Sequence, residues 1–215
     1  MSHLQQQLYV RRLSETFPDA FRKRRVLEIG SLDLNGSVRQ HFHDCDYIGI
    51  DLGPGPGVDV VAEGQNYDAP DGSFDVVISC ETMEHNPYWK ETMLNMVRMC
   101  RPGGLVIMTC ATTGRVEHGT RRTTPQDAPL IPWDYYRNLT QRDFKDALPL
   151  ARLFSLHVFC EERSASDLYF AGFKVGGSVP GNARSALGAL KRRYMLQNAR
   201  SFGSAALARL VGRRP

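Results

Sequence analysis

Val26-Leu27-Glu28-Ile29-Gly30-Ser31-Leu32-Asp33-Leu34-Asn35-Gly36 is the stretch that decides the fold. The run Arg25 to Ile29 suits a buried strand, and Gly30 follows it at once. A glycine there turns the chain sharply and lets a ligand approach the backbone, at the sheet edge where open α/β folds bind nucleotides. Gly36 and Ser37 then read as the small residues that open the next helix. The spacing is not GxGxxG. Leu32 and Leu34 would obstruct a pyrophosphate, whereas a nucleoside without phosphates tolerates them.

Working outward, Tyr47 to Asp51 is a second β-rich run and Val58 to Val61 a third. Phe74 to Ser79 is nearly continuous in apolar residues, as a strand buried on both faces should be. A helix fits Tyr88 to Cys100, with Met93, Met96, Val97 and Cys100 on one face. Arg101-Pro102-Gly103-Gly104 ends it and turns into a fifth strand, Leu105 to Thr109. Two further runs, Leu153–Cys160 and Leu168–Val175, flank a polar turn and read as an antiparallel pair. The fold class is therefore α/β: a Rossmann-like seven-stranded sheet of five parallel strands plus a C-terminal antiparallel hairpin, with helices on both faces. Leu4, Leu8, Leu13 and Phe17 predict an amphipathic helix within residues 1–24. Residues 112–143 form an insert rich in Pro, Thr and Arg, too long for a simple connector. One domain over 1–180 and a basic tail over 181–215 are the expected organisation.

Composition sets outer limits. The 215 residues are 42% hydrophobic and 23% charged, which excludes whole-chain disorder. No apolar run approaches the ~18 residues of a membrane span, and Met-Ser-His-Leu-Gln-Gln-Gln lacks the apolar core of a signal peptide. Five cysteines without a CxxC pair argue against a disulfide framework and for a reducing, cytoplasmic setting. The net charge of +4 is unevenly spread: residues 1–167 hold 18 Lys/Arg against all 23 Asp/Glu, and residues 168–215 hold 9 Lys/Arg and no acid. An acidic body carries a basic end.

Glu28-x-Gly30, Asp51, Phe74-Asp75-Val76-Val77, Glu84-His85 and Arg101-Pro102-Gly103-Gly104 together resemble the class I S-adenosylmethionine-dependent methyltransferases. The nearest branch is the small-molecule type that includes the ubiquinone-biosynthesis enzymes. The motifs span residues 25–110, and the closing hairpin carries the likeness to about 175. The resemblance implies S-adenosyl-L-methionine as cofactor. It implies that Glu28, Gly30, Ser31 and Gly36 belong to the motif around the methionine part, and that Asp51 binds the ribose with Leu52 against the adenine. It also implies Glu63 and Gly64 at the adenine edge, with Asn66 as an alternative, and Ser79 and Cys80 beside the sulfonium. The bulky Ser31–Asn35 loop departs from the usual Gly-x-Gly.

A hydroxyl acceptor needs a base, because its pKa lies far above neutral. His85 is the candidate, just past the fourth strand, with Glu84 as an orienting carboxylate. Glu81, Glu84 and His85 fall at i, i+3, i+4, one face if the segment is helical. Two further readings stay open there: a plain helix cap before Asn86-Pro87, and a divalent metal site similar to that of the ubiquinone-type enzymes, which is the less favoured. Asn86-Pro87-Tyr88-Trp89 is not the Asn-Pro-Pro-Tyr of amino-methyltransferases, because Cys80 to His85 intervene and the second proline is absent.

The insert offers Arg115, His118, Arg121, Arg122, Trp133, Tyr135, Tyr136 and Arg137 to an acceptor. Aromatic faces suit a sugar or planar ring, and arginine forks suit phosphate or carboxylate. In the tail, Leu187, Leu190 and Tyr194 make a stripe beside Lys191-Arg192-Arg193, with Phe202, Leu207, Leu210 and Val211 beyond. That pattern suits an anionic membrane surface better than nucleic acid, since the body is acidic. The expected reaction is O-methylation of a sugar, lipid-linked saccharide or secondary metabolite. RNA methylation gripped by the tail, or a non-catalytic scaffold, are the alternatives.

Overall fold

The computed structural model describes the backbone of residues 4–211 and the side chains through residue 200. Seven strands form one sheet in the order β3-β2-β1-β4-β5-β7-β6. They are β1 (Arg25–Ile29), β2 (Asp46–Asp51), β3 (Val60–Val61), β4 (Phe74–Cys80), β5 (Cys100–Ala111), β6 (Phe154–Glu162) and β7 (Asp167–Lys174). β1 to β5 pair in parallel, and β7 joins β5 antiparallel with β6 outside it. The order reverses between β1 and β4, so the crevice of such a fold opens above their carboxyl ends.

Alternation along the strands feeds two cores. Leu27, Ile29 and Val77 face α2 (Trp89–Met99), α3 (Gln141–Ala147) and α4 (Leu150–Leu153). Val26, Val76 and Ile78 face α1 (Leu4–Thr16) and α5 (Ala183–Val211). Both faces of the central strands are thus buried, which is why β4 reads as a continuous apolar run. On α2 the predicted stripe of Met93, Met96 and Val97 is buried.

Several details differ from the sequence reading. No α-helix follows β1. The Asp33 carboxylate accepts from the Gly36 N–H at 2.7 Å, and only a short 3₁₀ turn, Val38–His41, fits before β2. The N-terminal helix stops at Thr16, ahead of Pro18. Its buried stripe is Gln6, Tyr9, Val10 and Leu13, continued by Phe17, whereas Leu4 is exposed. Arg101–Gly104 bulges within β5: Phe74 pairs with Cys100 and Val76 with Leu105. Gly103 at φ +72° permits it, and a Cβ at Gly104 would lie 2.6 Å from the Cys100 sulfur.

The segment drawn as a tail begins as a core helix. Ala183, Leu187, Leu190 and Tyr194 are buried against the sheet and α1, so that stripe is spent on folding and is not free to enter a bilayer. Phe202, Leu207, Leu210 and Val211 have side chains outside the described residues. Among the described residues, no helix is long and apolar enough to cross a membrane.

Candidate active site

Above the switch point lies a cleft of about 690 Å³, its open mouth included. Its floor is the ends of β1 and β2, where Ile29, Gly30, Ile50, Asp51 and Leu52 line it. Gly30 has φ +80°, and a Cβ there would fall 1.9 Å from the Thr82 hydroxyl oxygen, so only glycine fits. The Asp51 carboxylate is aimed by its neighbours. The Leu32 N–H donates to Oδ2 at 2.9 Å and the Leu52 N–H to Oδ1 at 2.8 Å. Each oxygen keeps a lone pair for one further donor, and paired hydroxyls of a ribose present two such donors.

One side wall is Ala62, Gly64 and Gln65 after β3. The Asn95 amide donates to the Gly64 carbonyl at 2.8 Å and tethers that wall to α2. Opposite stand Glu81, Thr82, His85 and Asn86. Asp127 to Ile131 and Trp133 of the insert reach across the mouth. Leu130 packs so closely on Gly53 that a Cβ there would meet it at 2.9 Å. The Trp133 indole N–H donates to the His85 carbonyl at 2.5 Å, and the Arg137 N–H to the Glu84 carbonyl at 2.8 Å. The insert is thus pinned to the chain segment that follows β4.

That segment carries the titratable groups. Glu81 sits at φ +51°, which breaks any helical path, and Met83–His85 is a 3₁₀ turn. The predicted i, i+3, i+4 face therefore does not form. Instead, ligand atoms of Glu84, His85 and His118 lie within 4.8 Å of one another, while Glu81 pairs with Arg115 at 3.6 Å. Glu84 is fully buried. Its Oε1 accepts from the Ala111 N–H at 3.1 Å and its Oε2 has no hydrogen-bond partner. Burial, then Glu81, pushes its carboxyl well above the usual range, which favours the protonated form. His85 is also buried, with Nδ1 unpartnered. Burial, with His118 and Arg115 nearby, lowers it to about 3. The rings of His85, His118 and Tyr136 meet edge-on at 4.9, 5.3 and 5.1 Å. A second pocket beside them shares Glu81, His85 and Asp127 with the cleft and adds Arg115, His118 and Thr124.

A family model described as a methyltransferase domain matches residues 1–157, well over half of the 215. The chain belongs to that methyltransferase-domain family. A phthiotriol/phenolphthiotriol dimycocerosates methyltransferase of Mycobacterium ulcerans is 30% identical over 100 residues, which are 40% of this chain and 37% of that protein. The match thus spans little more than a third of its curated relative. Among solved structures, the 1,6-didemethyltoxoflavin-N1-methyltransferase of Burkholderia thailandensis superposes with a TM-score of 0.56 at 14% identity, covering 79% of this chain and 78% of that one. Phosphoethanolamine N-methyltransferase 2 of Haemonchus contortus gives 0.56 at 14%, covering 80% and 53%. At these identities the likeness shows the fold, which is that of the class I S-adenosylmethionine-dependent methyltransferases.

Within this methyltransferase domain, the residues singled out from sequence separate into two sets. Gly30, Asp51, Leu52 and Gly64 line the cleft, with His85 and Trp133 across from them. Arg115 and His118 line the adjoining pocket, and Tyr136 meets both histidines edge-on. The others lie elsewhere. The Glu28 carboxylate points to the α1–α5 face and accepts from the Tyr47 hydroxyl at 2.7 Å; burial raises it to about 7. Ser31, Ser79 and Cys80 are buried outside the cleft wall, and burial keeps the Cys80 thiol protonated. Gly36 is held by Asp33 in an exposed loop. Glu63 is exposed and accepts from Gln65 and Asn66. Arg121 bonds Asp134 and Pro132. Arg137 pairs with Asp143, and Tyr135 is half-buried away from both pockets. Thr82, Asn86, Gln65 and Leu130 were missed.

Proposed function

We propose that this methyltransferase domain moves a methyl group from S-adenosyl-L-methionine to a hydroxyl oxygen of a small-molecule acceptor. The observation that carries the reading is the Asp51 carboxylate, aimed by two backbone N–H groups into a cleft at the switch point. The cofactor would supply an activated methyl group, and Gly30, Asp51, Leu52 and Gly64 would hold its nucleoside. The adjoining pocket of Arg115 and His118, with Tyr136 set edge-on against its histidines, would orient the acceptor against it, and positioning of this kind supplies much of the rate in a displacement. His85 is too weak a base, at about 3, to draw a proton from a free hydroxyl. As a neutral imidazole it would accept a hydrogen bond from that hydroxyl, fix its lone pair, and take the proton as the oxygen–methyl bond forms and the sulfur–methyl bond breaks, when the oxygen turns far more acidic than a free hydroxyl. The phthiotriol acceptor named for the curated relative supports a hydroxyl-bearing partner, a sugar, lipid-linked saccharide or secondary metabolite among them. Five free cysteines support a cytoplasmic setting.

A second reading rests on Glu84, His85 and His118, two of them buried with an unpartnered ligand atom. A divalent cation there would supply the Lewis acidity that His85 alone lacks as a base. Transfer of a labelled methyl group to a panel of polyols, sugars and triols, run with magnesium and with chelator, tests both. Acceptor-dependent label on oxygen supports the first reading, and its loss in chelator supports the second. Cofactor turnover with no acceptor labelled in either condition would count against both.

A further inference from the structure

We infer that the exposed side of α5 is a docking surface for an anionic lipid bilayer. The surface is separate from the methyl-transfer site and does not depend on that reading. The buried stripe of α5 leaves the opposite side to solvent, and Arg192, Arg193 and Arg200 lie there along an open groove between α5 and α1, while the half-buried Arg12 of α1 donates to the Tyr194 hydroxyl at 2.6 Å within it. Among the described residues lining that groove the one acid is Glu15, which pairs with Arg11 at 2.9 Å. Met195 and Leu196 are 61% and 62% exposed beside the α5 arginines. Clustered arginines next to exposed apolar side chains match a surface whose headgroups are negative and whose interior is apolar. A folded, acidic partner protein would answer the charge but leaves two protruding apolar side chains on a convex helix without a cavity to enter.

The helix is also fixed in orientation relative to the cleft. The Asn198 amide donates to the Glu161 carbonyl at 2.8 Å, and the Arg163 N–H donates back to its Oδ1 at 3.1 Å. The hairpin held in this way sits at the carboxyl edge of the sheet, where Asp167 pairs with Ala111 and the Arg115 guanidinium donates to Ala165 at 2.7 Å. A bilayer on α5 would therefore meet the molecule next to the edge on which the cleft opens, and not at the far end of the strands.

Sedimentation of the full chain with phosphatidylcholine vesicles, with and without phosphatidylglycerol, tests the assignment. The expected result is pelleting only with phosphatidylglycerol, weakened about tenfold or more by the exposed double change Arg192→Glu/Arg193→Glu and reduced by Leu196→Ser. Raised salt should weaken it further. Unchanged circular dichroism and S-adenosylhomocysteine affinity would show that the variants keep the fold. Equal pelleting of wild type and the double variant overturns the proposal, as does failure to pellet on either vesicle. Tighter salt-dependent retention on single-stranded RNA than on vesicles also overturns it, in favour of nucleic acid.

Discussion

At the scale of single residues, the sequence reading succeeded where the backbone imposed the requirement. Gly30 was legible because a strand that ends in a sharp turn demands a residue without a Cβ, and the structure places Thr82 in that space. Gly30→Ala strains φ and collides with Thr82. It should destabilise the fold by about 2 kcal/mol or more and weaken cofactor binding together, measured by chemical denaturation and calorimetry. Glu28 is turned to the α1–α5 face, which nothing in the sequence says, because its neighbours are apolar on both sides of the strand. Its partner is Tyr47, and its pKa rises from 4.5 to about 7. A group raised in the folded state contributes stability that is fully present below about 4.5 and is lost as pH rises through about 7. Glu28→Gln keeps an acceptor for Tyr47 and cannot ionise. Its advantage over the wild type should therefore grow by about 2–3 kcal/mol between pH 5 and pH 8, read from urea midpoints at the two pH values.

At the scale of elements, strands were easier to read than the connections between them. Buried strands repeat apolar residues densely, whereas the β1–β2 connection lacks the length and periodicity of a helix and folds as a 3₁₀ turn instead. The insert was recognised by its composition, but its actual reach was hidden. Leu130 and Trp133 enter the cleft through contacts distant in sequence, with Gly53 and with the His85 carbonyl. After the insert, α3 starts with a capping box, Thr140 accepting from the Asp143 N–H and Asp143 from the Thr140 N–H. Thr140→Ala should cost about 1 kcal/mol of stability, seen as a lowered thermal midpoint, with S-adenosylhomocysteine affinity unchanged. A loss of affinity instead would mean that α3 sets the insert's position over the cleft.

At the scale of the whole molecule, motif order gave the sheet and charge asymmetry gave the basic end, yet the two were read as separate parts. The structure joins them: the stripe of Leu187, Leu190 and Tyr194 closes the second core against Tyr9 and Tyr169. A short apolar stripe next to cations is ambiguous in sequence, because a bilayer and a sheet face demand the same pattern. Leu187→Ala separates the two. As a core residue it should lower stability by about 2–4 kcal/mol in denaturant, whereas a solvated tail would lose nothing measurable.

The central claim is that the cleft holds a nucleoside through Asp51, and calorimetric titration of the full chain with S-adenosylhomocysteine tests it most directly. Wild type should bind, and Asp51→Ala should weaken binding by at least about tenfold, the loss of charge-assisted hydrogen bonds to a ribose. Equal affinity in the two proteins, or no binding by wild type, would contradict the account.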